Sequence, residues 1–390
     1  MLRISDPSQD ASKPRLGIHG IWSLTPEKRI PNTWFGDSLP RKFERHTGIR
    51  ARRVSNLDEV AFATAAIQNA IRQAGVPSLA NCRALVLACP ALIPQSVARR
   101  HLPLDRARNE QTSRVAFRLQ ERLCTEFKLS ANARVVGMNG FCSGYAKAMK
   151  WVNHRFGCDS THQLNGDDYI LVVTANRISR ITNYECPKSG GLFGDFATVT
   201  MMTSCQSEVR PPRFELYDAD YRKQSVNRSF FNFEWQPKTR SPLADTPSPE
   251  ERQLVFSLDG MGIADTAPRA MAEAAKQMAE KNGIAKAQVD WVVPHQAGEG
   301  IVRLTSMKLE QYGFTVAPVN GLTEEFGNVS SGSVPLALEH HWDSLHGTIL
   351  CPVAAVGAPG RPEVSQGCIL LEGPPQPSQR CQDTQRTRAA

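Results

Sequence analysis

Cys142 lies in a segment whose pattern is typical of a reactive thiol. Residues 133–149 read as a β-branched strand, a turn that contains Gly140, the cysteine and then a helix. A thiol at a helix N-terminus lies near unpaired backbone N–H groups and the positive end of the helix dipole, and both favour the thiolate. The order of strand, turn, nucleophile and helix also resembles a nucleophile elbow. By itself, the pattern fits a buried structural cysteine at least as well.

Two further polar side chains lie at the ends of predicted elements. His295 follows a buried apolar strand directly and precedes a helix that begins near Ile301. This is the edge of an α/β sheet at which ligands and reactive groups usually lie. Asn328 lies in a loop rich in Gly and Ser that opens another helix. Each also has a structural interpretation, His295 as a cap of a strand end and Asn328 as a helix cap or turn residue.

The elements that would position these side chains alternate between short strands and amphipathic helices. This alternation predicts an α/β fold with sheets covered by helices. The predicted strands are 84–88, 134–138, 169–175, 197–202, 291–293, 348–356 and 366–371. The predicted helices are 56–74, 110–127, 143–155, 267–281, 301–312 and 334–345.

The same alternation divides the chain into two halves with a similar order of elements. The N-terminal half is predicted to span 15–205 and the C-terminal half 253–372. Residues 206–252 are rich in Pro, Arg and aromatic residues, have no clear period and are interpreted as a connecting excursion. Residues 1–14 and 373–390 are predicted to be disordered tails because they are polar and rich in Pro.

The composition of the 390 residues excludes several classes of protein. No run approaches the roughly 18 apolar residues of a membrane helix, and the polar N-terminus lacks the apolar stretch of a secretory signal. The ten cysteines include no C-x-x-C pair and no metal-like spacing with histidine. We therefore expect a cytoplasmic protein with reduced thiols, no membrane span and no metal site.

The formal net charge of +8 leaves three kinds of partner open: nucleic acid, an anionic surface or an acidic protein. Six Lys and Arg against one acid, Glu44, lie between Arg41 and Arg53. A solvated basic face explains this cluster equally well. No zinc-finger spacing or aromatic and basic ribonucleoprotein motif is present, so nucleic acid is not expected as a partner.

The three segments around Cys142, His295 and Asn328 resemble the Cys, His and Asn motifs of 3-oxoacyl-acyl carrier protein synthase III, a condensing enzyme of the thiolase-like superfamily. They read Cys-Ser-Gly-Tyr, Pro-His-Gln-Ala and Gly-Asn-Val-Ser-Ser-Gly-Ser-Val-Pro. Arg45–Arg50 is similar to the family's Thr-Gly-Ile-Arg element, and Leu192–Asp195 is similar to its Phe-Gly-Asp segment.

This resemblance covers residues 17–372 and implies both a fold and an assembly. The implied fold has five layers, α-β-α-β-α, built from two similar halves. The implied assembly is a homodimer. The implied activity is that of a beta-ketoacyl synthase, an acyltransferase, in fatty acid or specialised-metabolite biosynthesis.

The resemblance also gives the three side chains their roles. Cys142 would attack an acyl thioester and hold the acyl group covalently. His295 and Asn328 would stabilise the enolate that forms when a malonyl thioester loses carbon dioxide. That carbanion would then attack the acyl group on Cys142. The backbone N–H groups of Cys142 and Gly360 would form the oxyanion hole, because Val356–Gly360 stands where the family has a glycine-rich turn.

Other residues follow from the same resemblance, and some of them depart from the family pattern. The residues expected at the entrance for the carrier or its pantetheine arm are Arg41, Lys42, Arg45, His46 and Arg50, and those expected in the acyl pocket are Phe141 and Phe196. Lys42 and His46 stand where relatives that start from acetyl-coenzyme A carry Trp and Arg. This favours acyl carrier protein over coenzyme A as the primer carrier, with no cofactor besides the phosphopantetheine arm.

Two other functions stay open on sequence alone. The scaffold also hosts acyltransferases that move an acyl group to an alcohol or amine without condensation, but these tend to lose the decarboxylation pair. A catalytically idle subunit is the other alternative. The complete set of Cys142, His295 and Asn328 disfavours both.

Overall fold

The computed structural model describes residues 16–89, 104–158, 160–243, 252–357 and 360–375, and for residues 104–113 and 160 only the backbone. The predicted N-terminal tail and most of the C-terminal one lie outside these ranges. The strands are β1 (Leu16–Leu24), β2 (Lys28–Pro31), β3 (Ala51–Val54), β4 (Cys82–Ala88), β5 (Arg134–Met138), β6 (Tyr169–Asn176), β7 (Phe196–Ser204), β8 (Phe214–Ser225), β9 (Phe231–Pro237), β10 (Arg252–Leu258), β11 (Trp291–Val292), β12 (Thr348–Val356) and β13 (Glu363–Glu372). The helices are α1 (Phe43–Thr47), α2 (Glu59–Gln73), α3 (Leu104–Phe127), α4 (Gly144–Val152), α5 (Gly260–Lys281), α6 (Glu299–Gln311), α7 (Thr323–Phe326) and α8 (Ser333–His340).

Nine strands form one mixed sheet in the order β11-β12-β13-β8-β1-β7-β6-β4-β5. A ladder of only three residue pairs between β1 and β8 joins its two parts. On one side, β5, β4 and β6 are parallel to one another, β7 is antiparallel to β6, and β1 is antiparallel to β7. On the other side, β11 and β12 are parallel, and β13 and β8 follow antiparallel. The two parts therefore have the same strand pattern, as expected for two similar halves.

Three hydrophobic cores separate the layers of helices and strands. One core packs α2 and α3 against the outer face of the first part of the sheet. The central core contains α4 and α8 between strands of both parts. The third core packs α5 and α6 against the outer face of the second part. Five layers, α-β-α-β-α, result, and the expected fold class is confirmed.

The central layer matters for function because its two helices begin next to the strand ends. Strands β4, β5 and β6 are parallel, so their carboxyl ends at Ala88, Met138 and Asn176 lie at one edge of the sheet. Helix α4 begins two residues after Cys142, and α8 begins five residues after Asn328. Both helices bury most of their length, because small and apolar side chains face both sheets. None of the helices within the described ranges is long and apolar enough to cross a bilayer.

Residues 206–252 contain regular structure that the sequence pattern did not reveal. Strand β8 pairs along its length with β13 and joins the main sheet. Strands β9 and β10 form a separate two-stranded sheet. The phenylalanines of this hairpin pack on Ile178 and Ile181, which follow β6. The hairpin therefore packs beside the turn that contains Cys142.

Candidate active site

A single cavity of about 510 Å³ is lined by Cys142, His295 and Asn328. Most of its remaining lining is apolar and comes from the first turns of α5, from α6 and from the end of β12. A volume of this size and an apolar lining with a few converging polar groups are typical of small-molecule sites. The structure thus brings together the three side chains singled out from the sequence, although they are up to 186 positions apart along the chain.

Cys142 lies in a tight turn between β5 and α4. The preceding residue, Phe141, has a φ of +46°, in the left-handed region that non-glycine residues rarely adopt. A Cβ on Gly140 would lie 2.7 Å from the backbone of α4, so only glycine fits there. The hydroxyl of Ser143 donates to the carbonyl of Gly140 at 2.8 Å and lies 2.8 Å from the hydroxyl of Ser365. These contacts hold the thiol at the cavity wall.

The thiol of Cys142 is protonated at neutral pH. Burial raises its pKa to about 11, although hydrogen bonds with the side chains of Ser330 and Asn328 act in the opposite direction. The expectation that the helix N-terminus favours the thiolate is therefore not met, because desolvation disfavours the charged form more strongly. The two hydrogen bonds also place the sulfur next to the Asn328 loop.

His295 is buried, and its orientation is determined by Ser333 at the start of α8. The Nδ1 atom lies 2.6 Å from Ser333 Oγ, which also accepts a hydrogen bond from the backbone N–H of Gln296 at 3.3 Å. The Ser333 hydroxyl can donate its own proton to Nδ1. In that tautomer the imidazole proton lies on Nε2, where it can be donated to a substrate. Burial lowers the pKa of His295 to about 4, so the ring is neutral at physiological pH.

Asn328 presents an amide N–H₂ group as a donor. Its Oδ1 accepts a hydrogen bond from the backbone N–H of Ser330 at 2.8 Å, so Nδ2 is the donor side of the amide, and the same side chain also bonds the Cys142 sulfur. Its backbone pairs with the Phe-Gly-Asp segment: Asn328 N–H donates to Leu192 O at 2.8 Å, and Gly194 N–H donates to Asn328 O at 3.2 Å. A neutral Nε2–H and an amide N–H can therefore both face one substrate oxygen.

The Phe-Gly-Asp segment supports this loop. A Cβ on Gly194 would lie 2.1 Å from the carbonyl oxygen of Phe326, so glycine is required for the close approach. Asp195 is fully buried and accepts hydrogen bonds from the backbone N–H groups of Ser55 and Ser179, both at 2.9 Å, and from the Ser179 hydroxyl at 2.6 Å. Burial raises the pKa of Asp195 to about 6. This motif is part of the framework that carries Asn328.

The structure does not bring Gly360 to the cavity. Gly360 is exposed, and its N–H donates to the carbonyl of Phe231 at 2.9 Å. An N–H that is already bonded to a backbone carbonyl is not available to an oxyanion, so the expected role of Gly360 is corrected. Val356, at the start of this turn, does line the cavity, together with Ala354 and Ala355 of β12.

The five residues expected at the entrance do not lie together in the structure. Arg45 and His46 line a more open neighbouring cavity of about 640 Å³, and His46 also lines the first cavity. Arg50 forms ion pairs with Glu44 at 3.0 Å and Glu324 at 2.7 Å, and so links α1 to α7. Its charge is therefore largely neutralised, and its expected role at the entrance is not supported.

The other two entrance residues, Arg41 and Lys42, are exposed and line neither cavity. Two cations that the sequence analysis missed do line the mouth. Arg303 on α6 lines both cavities, and Lys188 lines the first one. Neither residue belongs to a recognised motif, so their position could be seen only in the folded chain.

The two phenylalanines expected in the acyl pocket line neither cavity. The ring of Phe141 packs edge-on against Phe231 of β9, with 5.0 Å between ring centroids. Phe196 is fully buried, packs edge-on against Phe326 at 5.2 Å and lies behind the Asn328 loop. The phenylalanines that do line the cavity are Phe193 and Phe230, and Phe193 packs against Phe256 of β10 at 5.2 Å.

The comparisons with known proteins agree with this geometry. The family described as the C-terminal part of 3-oxoacyl-acyl-carrier-protein (ACP) synthase III matches residues 279–358. The chain is 27% identical over 330 residues to the beta-ketoacyl-acyl-carrier-protein synthase III of Oleidesulfovibrio alaskensis, which covers 82% of this chain and 88% of the relative. It is also 27% identical to the 3-oxopimeloyl-acyl-carrier-protein synthase of Rhodothermus marinus, over 83% of this chain and 85% of the relative.

A solved structure shares the fold. The 3-oxoacyl-acyl-carrier-protein synthase III of Aquifex aeolicus superposes with a TM-score of 0.65 and is 21% identical. The superposition covers 92% of this chain and 99% of that structure. At this level of identity the likeness shows the fold alone, the thiolase-like arrangement of two halves.

Proposed function

We propose that this chain, which is similar to 3-oxoacyl-acyl-carrier-protein synthase III enzymes and shares their fold, is a beta-ketoacyl synthase that condenses an acyl thioester with a malonyl-type thioester. One observation carries the proposal. A single apolar cavity is lined by a nucleophile, Cys142, and by two side chains that can donate hydrogen bonds, His295 and Asn328.

The first step is acylation of the cysteine. The sulfur of Cys142 attacks the carbonyl carbon of the acyl thioester and forms a new C–S bond. The bond to the carrier's sulfur breaks, and the proton of Cys142 ends on the departing carrier thiol. No net base is consumed, because the proton lost by Cys142 is gained by the departing thiol.

The second step is decarboxylative condensation. The malonyl thioester loses carbon dioxide, and the electron pair moves onto the thioester, whose oxygen becomes an enolate. His295 and Asn328 donate hydrogen bonds to this oxygen, and a low-dielectric cavity strengthens both bonds. The resulting carbanion attacks the acyl carbonyl on Cys142. The C–S bond then breaks, the cysteine takes up a proton, and the 3-oxoacyl product stays on the carrier.

Cations at the mouth favour an anionic carrier. Arg45 and Arg303 line the outer cavity, while Lys188 and Arg303 line the inner one. A phosphopantetheine arm carries one phosphate at its protein end, and acyl carrier protein is acidic. We expect these side chains to hold the phosphate and the carrier while the thioester reaches Cys142.

We further propose a homodimer that forms at strand β5. This strand is one edge of the main sheet, and four of its five residues keep some exposure, so its backbone is open for pairing. An unprotected edge strand commonly pairs with another chain.

We also propose that the protein works in the reducing cytoplasm. All nine cysteines that the structure describes are free thiols, which supports this compartment.

The test incubates the protein with an acyl thioester and malonyl-acyl carrier protein and follows both steps by mass spectrometry. The expected result is an acyl group on Cys142 followed by a 3-oxoacyl product, and neither forms with Cys142→Ala. Acyl-enzyme without condensation, but with transfer to an alcohol or amine, would identify an acyltransferase instead. A protein that never forms acyl-enzyme would contradict every covalent mechanism at this site.

A further inference from the structure

Asn176 is a buried side chain that bonds the Asn328 loop with both ends of its amide. It is the last residue of β6 and has no exposed surface. Its Nδ2 donates to the carbonyl of Val329 at 2.8 Å, and its Oδ1 accepts from the hydroxyl of Ser331 at 3.0 Å. The two bonded residues flank Ser330, so the amide spans the segment that follows Asn328.

This segment has a backbone conformation that needs support. Ser330 has a φ of +56°, in the left-handed region that non-glycine residues adopt at an energetic cost. The hydrogen bond from Ser330 N–H to Asn328 Oδ1, which orients the Asn328 amide, exists only while the segment keeps this shape. Gly332, two residues after Ser330, also lies tightly against β6, since a Cβ there would be 3.2 Å from Thr174 Oγ1 and 3.4 Å from Asn176 Nδ2.

The same network reaches the start of the helix that follows the nucleophile. The Ser331 hydroxyl lies 3.0 Å from the carbonyl oxygen of Ala88 at the end of β4, as well as from Asn176. A Cβ on Gly144, the first residue of α4, would lie 3.3 Å from the Cβ of Ser331. Asn176 therefore holds the Asn328 loop at a defined distance from the start of α4 and from Cys142.

We propose that Asn176 is a positioning residue for Asn328, and that decarboxylation depends on it much more strongly than acylation of Cys142 does. This inference rests on the proposed condensing function. The Cys142 sulfur also bonds the side chains of Ser330 and Asn328. Its own turn between β5 and α4 holds it in place, however, and Asn176 bonds the Asn328 loop and not that turn. Enolate stabilisation requires the amide N–H of Asn328 at hydrogen-bond distance from one oxygen, and small displacements of a donor weaken it.

The test is Asn176→Leu, which keeps the size of the side chain and removes both hydrogen bonds. Because this change removes the two side-chain hydrogen bonds that hold the Asn328 loop against β6, we expect kcat for malonyl decarboxylation and for condensation to fall about 10- to 100-fold. The rate of acyl-Cys142 formation, measured by mass spectrometry without malonyl substrate, should fall much less.

Thr174→Val is the matched control. Thr174 lies two residues earlier on β6, is equally buried and loses its hydrogen bonds with the hydroxyl and the backbone N–H of Thr198, at 2.8 and 3.2 Å. It makes no hydrogen bond with the Asn328 loop, and valine keeps the size of the side chain that lies against Gly332. We expect it to lower the thermal stability without separating the two steps. If Asn176→Leu does not fold, Ser331→Ala removes one arm of the same network and should produce a smaller loss with the same selectivity.

The outcomes separate this inference from the proposed function. Equal losses of acylation and decarboxylation in Asn176→Leu, or an equal selective loss in Thr174→Val, would overturn the positioning role and leave the condensing function intact. A wild-type protein that forms acyl-Cys142 but never decarboxylates malonyl substrate would overturn the condensing function itself.

Discussion

Burial of a neutral His295 should make the stability of this protein depend on pH in a specific way. The pKa of the ring is lowered from 6.5 to about 4 in the folded protein, because the side chain is enclosed in the cavity wall. Between these two values the unfolded chain binds a proton at His295 and the folded chain does not. The free energy of unfolding therefore falls as the pH is lowered from 6.5 to 4, and the effect is complete below 4.

The magnitude follows from the size of the pKa change. Each pKa unit corresponds to about 1.4 kcal/mol, so lowering the pH from about 7 to about 4.5 should remove about 2 to 3 kcal/mol through His295. Asp195 acts with the opposite sign, because its pKa is raised from 3.8 to about 6 and the folded state takes up its proton first. A variant at His295 alone is needed to isolate the histidine.

The assay is urea unfolding of the wild type and of His295→Asn at both pH values. Asn has no titrating group, and Asp195 is present in both proteins, so its contribution cancels in the difference. The wild type should lose about 2 to 3 kcal/mol more than the variant on acidification. A difference between the two proteins that is the same at both pH values would refute the reasoning, whatever the absolute stability of the variant.

Three further predictions concern the reaction. His295→Ala should slow malonyl decarboxylation by about 10²- to 10³-fold and affect acyl-enzyme formation much less; an unchanged decarboxylation rate would exclude it as a donor. Phe193→Ala removes a ring that lines the cavity and should admit longer acyl chains in a competition among thioesters, whereas Phe233→Ala, in the same aromatic cluster but not in the cavity lining, should not; identical chain-length profiles would refute this. Arg45→Glu should raise KM for carrier-bound substrate and spare small thioesters, with the exposed Arg41→Glu as control; equal KM changes for both substrates would contradict a carrier contact.

Elements with strong local patterns were predicted closely. Strand β5 occupies the predicted residues 134–138, and the predicted strand 169–175 differs from β6 by one residue. These strands are runs of β-branched and apolar residues, and local pattern is sufficient for them. Helix α5 begins seven residues before the predicted start at 267. Two glycines and Pro268 hide its first turns, which the side chain of Asp259 caps by accepting from Gly262 N–H at 3.1 Å.

Strand β8 shows why residues 206–252 could not be interpreted from the sequence. Its second half is polar, with residues such as Arg222 and Lys223 partly or fully exposed. It forms a strand because β13 pairs with it over ten residues. That partner lies more than 130 positions away, and no local pattern contains such information.

The amino-acid sequence alone determined the α/β class and the three side chains proposed to do the chemistry. Cys142, His295 and Asn328 each lie at a junction between elements, where residue type and spacing carry a local signal. Only the tertiary structure decided which backbone and side-chain groups are available. Gly360 bonds a distant carbonyl, Arg50 is neutralised by two acids, and desolvation keeps the Cys142 sulfur as a thiol. Whether a group can contact a substrate depends on its burial and on the partners that long-range packing brings close to it. Both are properties of the folded chain.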